Sequence, residues 1–330
     1  MMMIFNLTGC GDMETDNLKV QKETNVSKQD FTPVTEIKDG RKDVYAVLKV
    51  IKGNYWQELI RGLKESGDAA DVNVYVGGVL KDGDWELQRE MINDLSDKKV
   101  DAVILGAADS MNMTQTAKEL RQKNLPVVLV DTGLNSQDYD AAYLTDNLAA
   151  GADVAKKMVE MLHENGIKDD EKILVAMHIS TLASRTVSER LDSIIANWHN
   201  VAPKAWKIDT DYIINYGDES GAVKLVEDAM KNNSALKGVF SCNNSSTNAT
   251  VEAVIKAGRK DIAIMGFDLG KKTISGLQNK NYNIATAVQN EYKMGFEALK
   301  AAVGAIDGKL PAQKDVNTGI TIVDKNTYSK

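Results

Sequence analysis

From residue 43 onward the chain alternates short runs rich in Val, Ile and Leu with longer amphipathic stretches. The apolar runs cover 44–50, 72–76, 100–105, 127–130 and 141–144, then 173–177, 212–214, 238–240, 262–266 and 284–288. Helix-like segments lie between them, among others at 84–97, 112–124, 147–165, 184–198, 219–231, 244–257 and 290–306. A strand that is apolar on both faces needs cover on both, and strand–helix alternation supplies it by crossover connections. The expectation is an α/β fold with parallel sheets. A length of 330 residues suits about two domains. Pro126, one of only four prolines, stands where a run begins, a place a strand tolerates.

A weak internal repeat points to two lobes. Val103 and Val128 lie 25 residues apart in adjacent runs, and so do Val239 and Ile264. Any βαβ unit has about this length. What favours duplication is that each second run ends in Asp: Asp131 before Thr132-Gly133, Asp268 before Leu269-Gly270.

Charge and composition exclude several function classes. The net charge of −7 disfavours nucleic-acid binding by bulk charge. Two cysteines, Cys10 and Cys242, make no disulfide framework. The three histidines, His163, His178 and His199, stand at no ligand spacing, and neither CxxC nor HExxH occurs, so no metal site is expected. No apolar stretch reaches 18 residues, so no full transmembrane helix is expected. Lys52-Gly53-Asn54-Tyr55 after the first run is not GxGxxG, and no GxSxG appears. Acidic strand ends remain an alternative, as the acid and base of a glycosidase.

The N-terminal Leu7-Thr8-Gly9-Cys10 has the form of a bacterial lipobox, with small residues before a nucleophilic thiol. Only nine residues, none of them basic, precede Cys10, which is short for a signal peptide. Residues 1–10 are therefore expected as a truncated lipoprotein signal peptide with a misassigned start codon, and Cys10 as the lipidation site. Residues 11–40 are polar and aperiodic and are expected as a flexible tether.

In open parallel sheets, ligands bind beyond the carboxyl ends of the strands. Polar and aromatic groups gather there: Tyr55-Trp56, Asp109-Ser110, Asp131, Asn243-Asn244, Asp268 and Gln289. Planar carboxylates and amides engage two hydroxyls at once, and aromatic rings cover the C–H faces of a sugar, so the set suits a neutral polyol. Each member also has a plainer reading. A strand-end Asp often caps a helix, and 243–247 can cap the segment that follows. Tyr55 and Trp56, adjacent on a helix, diverge, which puts one of them in the core.

These motifs resemble, in order, those of the type 1 periplasmic sugar-binding proteins, the ribose-binding and related pentose/hexose family of ABC importers. The likeness spans about 43–325. Residues 45–51 with Gly53-Asn54-Tyr55-Trp56 and Gly62 resemble the first strand and aromatic pair. Residues 100–105 with Asp109-Ser110 are similar to the "DAIIL…TDS" strand, and 125–131 to "IPVV..D". Thr145-Asp146-Asn147 with Gly151 is similar to "SDN..GG", and Ser188-Glu189-Arg190 to the arginine-bearing helix start. Residues 238–244 are similar to "AVFAQND", Gly266-Phe267-Asp268 to "GFD", and 285–289 to "ATIAQ".

The resemblance implies a periplasmic-binding-protein-like type I fold: two Rossmann-like lobes joined by a three-segment hinge, 41–145 with 290–318 and 146–289 with 319–330. It implies that Tyr55 and Trp56 sandwich or line the ligand and that Asp131 and Asp268 accept hydroxyls, one from each lobe. Arg190 donates to oxygens, Asn243 and Gln289 contribute amides, and Tyr216 adds an aromatic. Asp109 is a further candidate, and Arg185 competes with Arg190. The implied protein is a monomeric, non-enzymatic, extracytoplasmic lipoprotein without cofactor, held at the membrane by its lipid alone. It delivers a pentose or hexose to a membrane ABC permease, or presents its closed form to a sensor histidine kinase or chemoreceptor. The chain departs from the pattern at Thr132, where the family has Arg, and at Asn244, where it has Asp. It also departs at Gly106 on the third strand and at Lys49 and Lys52 beside the first. No galactose-type calcium loop is present. DNA-binding repressors share this core, but 11–40 lack a helix-turn-helix pattern.

Overall fold

The computed structural model describes residues 27–328. Cys10, the signal segment and the first part of the expected tether lie outside the described residues. The first lobe is built on five parallel strands, β2 (Asp43–Leu48), β3 (Asn73–Val79), β4 (Ala102–Leu105), β5 (Val127–Val130) and β6 (Ala141–Leu144). The second repeats the plan with β7 (Ile173–Ile179), β8 (Trp206–Ile208), β10 (Leu236–Ser241), β11 (Ala263–Phe267) and β12 (Asn283–Gln289). A short β9 (Ile213–Ile214) pairs beyond the end of β8, on β7. Within each group of five the spatial order is second, first, third, fourth, fifth. Each lobe thus reverses direction beside its first strand, where an α/β sheet opens a crevice.

Helices cover both faces of each sheet, as doubly apolar strands require. In the first lobe α1 (Asn54–Ala70) and α9 (Glu291–Ile306) share one core, and α2 (Trp85–Asn93) and α3 (Thr114–Gln122) the other. In the second, α4 (Asn147–Glu164) and α5 (Arg185–Val201) oppose α6 (Glu219–Asn232), α7 (Asn244–Lys256) and α8 (Lys271–Gln278).

The sheets are not wholly parallel. β1 (Lys28–Pro33) and β14 (Ile320–Asp324) are antiparallel edges on β3 and β12, while β13 (Asp315–Asn317) runs parallel to β6. β1 corrects the reading of 11–40 as tether throughout. Its sequence KQDFTP has one large apolar side chain, so period gives no strand signal. The strand is held by backbone pairing and by Phe31, which meets the Tyr45 ring edge-on at 5.2 Å.

The chain passes between the sheets three times: between β6 and α4, between β12 and α9, and between β13 and β14. The crossings are stitched together. Thr145 Oγ1 donates to Gln289 Oε1 at 2.7 Å, the Asp146 amide to Asn317 Oδ1 at 3.1 Å, and the Thr318 amide to the Leu144 carbonyl at 2.8 Å. Asp146 and Asn290 also cap the helices that follow, by accepting the Ala149 and Lys293 amides.

α9 returns from the second lobe to lie against α1, and glycine makes the approach possible. A Cβ at Gly295 would overlap the Leu59 carbonyl, and one at Gly62 the Tyr292 carbonyl and Phe296 amide. G295A is therefore expected to destabilise by about 1–3 kcal/mol through overpacking, read by urea unfolding. An unchanged midpoint would show that the helices can separate at no cost.

Candidate functional site

The cleft between the lobes encloses a cavity of about 450 Å³. Seven of the ten ligand candidates named from sequence line it: Tyr55, Trp56 and Asp131 from the first lobe, Arg190, Asn243 and Asp268 from the second, and Gln289 at a crossing. Each stands at a strand end or in the first turns of the following helix.

Asp131 and Asp268 occupy equivalent places. Both follow a fourth strand, both have left-handed backbones (φ 62° and 69°), and each amide donates to a residue of the neighbouring fifth strand. Asp tolerates this conformation better than most residues. Their surroundings differ. Asp131 accepts from Tyr55 Oη at 2.6 Å, Thr132 Oγ1 at 2.6 Å and Lys49 Nζ at 2.9 Å. Burial works against the Asp131 carboxylate, but Lys49 and the two hydroxyls outweigh it and hold its pKa below the ordinary value. Burial works against the Lys49 ammonium too, and Asp131 and Asp82 reverse that, so Lys49 titrates above its usual value. Among the described residues, the Asp268 carboxylate receives only the Gln289 amide, at 2.7 Å. Burial raises its pKa, and Arg190 and Gln289 only partly offset this.

Arg190 is 1% exposed. Its Nε donates to Asn147 Oδ1 at 2.8 Å and its Nη1 to the Cys242 carbonyl at 2.9 Å. The guanidinium lies 3.9 Å from the centre of the Phe267 ring, and Nη2 has no partner among the described residues. Three more buried polar atoms on cavity-lining residues also lack one there: Asp82 Oδ1 in the first lobe, and Asn243 Oδ1 and Asn244 Nδ2 in the second. Trp56 and Tyr55 meet edge to face at 5.1 Å, and Gly106 lies beside the Trp56 ring, where a Cβ would stand at an ordinary 3.6 Å. Both aromatics are buried and both reach the cavity, so neither is spent on core alone.

Three candidates do not line the cavity. Asp109 turns back on its own loop and accepts the Met111 and Asn112 amides, both at 2.8 Å. Arg185 pairs with Glu189 at 2.6 Å and donates to the Leu134 carbonyl, tying the lobes together outside the cavity. Tyr216 is 61% exposed; its left-handed backbone belongs to a turn, and only the next residue, Gly217, touches the cavity. Sequence reasoning passed over Asp82, Thr186 and Asn248 and treated Lys49 as a departure. Lys49 had a signal, a cation in an apolar run. Asp82, in the polar stretch Lys81-Asp82-Gly83-Asp84, had none.

Glu291 opens α9 just past a crossing. Burial first, then Asp268, pushes its carboxyl up to about 8. The folded chain therefore holds this proton where the unfolded chain, near 4.5, releases it. Stability falls as pH rises between those values. E291Q is expected to remove this loss, gaining up to about 1.4 kcal/mol per pH unit across the window and nothing below it, read by urea unfolding from pH 4 to 8. A gain independent of pH would refute the assignment. K49M strands the Asp131 carboxylate and is expected to cost about 3–5 kcal/mol, with part of the loss restored in K49M/D131N. Equal costs in the single and double variants would show that the pair is uncoupled.

The comparisons with known proteins agree with this architecture. A family profile described as the periplasmic binding protein domain matches residues 44–310. The chain is 21% identical to the ribose import binding protein of Bacillus subtilis, over 83% of this chain and 85% of that one. It is 22% identical to the D-allose-binding periplasmic protein of Escherichia coli, over 78% and 83%. A carbohydrate transporter solute-binding protein from Agrobacterium radiobacter, solved with D-arabinose, superposes with a TM-score of 0.79 at 21% identity, over 88% of this chain and 96% of that one. An ABC transporter solute-binding protein from Agrobacterium vitis with bound D-fucose gives 0.78 at 22%, over 86% and 96%. With four-fifths of its length matched and both lobes in the type I arrangement, the chain belongs to the periplasmic binding protein domain family, a family of binding proteins rather than enzymes.

Proposed function

We propose that the cleft captures a small neutral carbohydrate, a pentose or hexose, and that the closed, loaded protein delivers it to a membrane ABC importer. The observation that carries this is a set of four buried polar atoms, without a partner among the described residues, on side chains that line the cavity from both lobes. Two are acceptors, Asp82 Oδ1 and Asn243 Oδ1, and two are donors, Arg190 Nη2 and Asn244 Nδ2. A buried polar atom left unpaired costs about 1–3 kcal/mol. A ligand that relieves all four must both donate and accept at several points around a compact frame, which a polyol does. Trp56 supplies an apolar face for its C–H surface. The sugars named for the relatives, ribose and allose, are of this class.

The ligand touches both lobes, so it favours the closed state by the contacts only that state completes. The importer reads that state. Anchoring through a lipid on Cys10 keeps the protein beside it, on the extracytoplasmic face; Leu7-Thr8-Gly9-Cys10 supports this part of the reading.

The test is thermal unfolding of the purified protein with D-ribose, D-allose, D-arabinose, D-fucose and xylitol. A sugar at 100 times its Kd adds about 2.7 kcal/mol, several degrees in Tm. D268A, which removes an acceptor free on one oxygen, is expected to weaken that sugar about 10- to 100-fold by calorimetry. No shift with any of the five would reject a sugar of this class.

A further inference from the structure

Asp82 follows β3 in the first lobe, and its two carboxylate oxygens do different things. Oδ2 accepts a hydrogen bond from Ser180 Oγ at 2.8 Å, and Ser180 follows β7 in the second lobe. Asp82 also lines the cavity, and its Oδ1 is buried with no partner among the described residues. The second lobe is shaped to receive this residue. Gly217 lies against it, and a Cβ there would stand 3.3 Å from the Asp82 amide nitrogen and 3.4 Å from its Cβ. Gly217 also has φ 79°, so glycine is favoured there twice over. Ser180 is held in turn, since its carbonyl accepts the Tyr216 amide at 2.8 Å from the same turn. The three crossings lie elsewhere, at the ends of β6, β12 and β13.

We infer that Asp82 is a latch that couples ligand capture to lobe closure, accepting a ligand hydroxyl on one oxygen while the other holds the opposite lobe through Ser180. This rests on the cleft being a ligand site. A carboxylate fixed at one oxygen by the second lobe presents the other in a defined direction, so the ligand meets an oriented acceptor only when the lobes are shut. Ligand bound at Oδ1 also restrains the carboxylate in the rotamer that reaches Ser180. Each contact therefore lowers the conformational cost of the other. Asp82 here acts on the ligand directly, and Ser180 is a positioning residue that acts through it.

The coupling is read by a double-mutant cycle on the full chain. The probe is whichever of D-ribose, D-allose, D-arabinose and D-fucose binds the unmodified protein, measured by calorimetry. S180A is expected to raise its Kd about tenfold, and D82A about 10- to 100-fold. The double variant is expected to be no weaker than D82A, because Ser180 has nothing left to position. D82N, which keeps an oxygen and the shape, should fall between the unmodified protein and D82A. Small-angle scattering supplies an arm without sugar: S180A should have a larger radius of gyration than the unmodified protein. A Kd for S180A within twofold of the unmodified value, or strictly additive losses in the cycle, overturns the latch. If none of the four sugars binds the unmodified protein, the sugar reading fails by itself. Scattering then decides the latch, and equal radii overturn it.

Discussion

A carboxylate buried between two lobes is tolerable only if something answers its charge, and the cleft is organised around that requirement. Asp131 is answered by Lys49, with Tyr55 and Thr132 filling further acceptor positions on its oxygens. A carboxylate has room for about four donors, and three are spent within the protein. Asp131 is thus chiefly an anchor, fixing the Lys49 ammonium and the Tyr55 hydroxyl as parts of the wall. Lys49 in turn reaches Thr132 at 2.9 Å and, across the cleft, Ser184 at 3.4 Å. Thr186, also of the second lobe, donates to the Asp131 carbonyl at 2.9 Å. One buried ion pair therefore sets part of the cavity-facing surface of the first lobe and part of the seam where the lobes meet.

The hinge and the site share atoms. Gln289 donates to Asp268 on the cavity wall and accepts from Thr145 in the first crossing. A ligand that engages Asp268 competes with or reinforces a bond that bears on the crossing geometry. On the far side the contacts are small and polar: Ser110 with Ala183 and Arg185, Arg185 with Leu134, Asp82 with Ser180. Hydrogen bonds of this kind are individually modest because water replaces them on opening. Such a seam lets two rigid lobes part without exposing a large apolar face, while the cores of each lobe stay intact.

Much of this was legible in the chain, and the reason is periodicity. Doubly apolar runs at regular intervals encode buried parallel strands, and the repeated Asp131 and Asp268 marked the lobe equivalence that the strand order repeats. Candidates failed where local chemistry competed with the site. Asp109 is the first residue of an Asp-Ser-Met-Asn turn, and its carboxylate is satisfied by that turn's own amides. Arg185 and Arg190 differ by five residues on α5, so about 140° of helix rotation sends one to the seam and the other to the cavity. Asp82 was missed because its role depends on a partner 98 residues away, which no local pattern encodes. β1 was missed for a related reason: edge pairing needs backbone, and its side chains carry almost no periodic signal.

The charges on the wall also bear on what kind of ligand fits. Deep in the cavity, Asp82, Asp131 and Asp268 face Lys49 and Arg190. Lys49 is already matched to Asp131, and Arg190 is the chief positive neighbour of Asp268. An anionic group placed there would meet an under-compensated carboxylate on each lobe. Lys52, Lys271 and Lys272 also touch the cavity, but all three are exposed, Lys52 on the first lobe and the other two on the second, where water and salt screen them. They raise the local potential at the mouth without supplying a buried site for negative charge. A neutral ligand with many hydroxyls has no such conflict. On the proposed reading it would donate to Asp82 and Asp268, accept from Arg190 and Asn244, and leave the Lys49–Asp131 pair undisturbed.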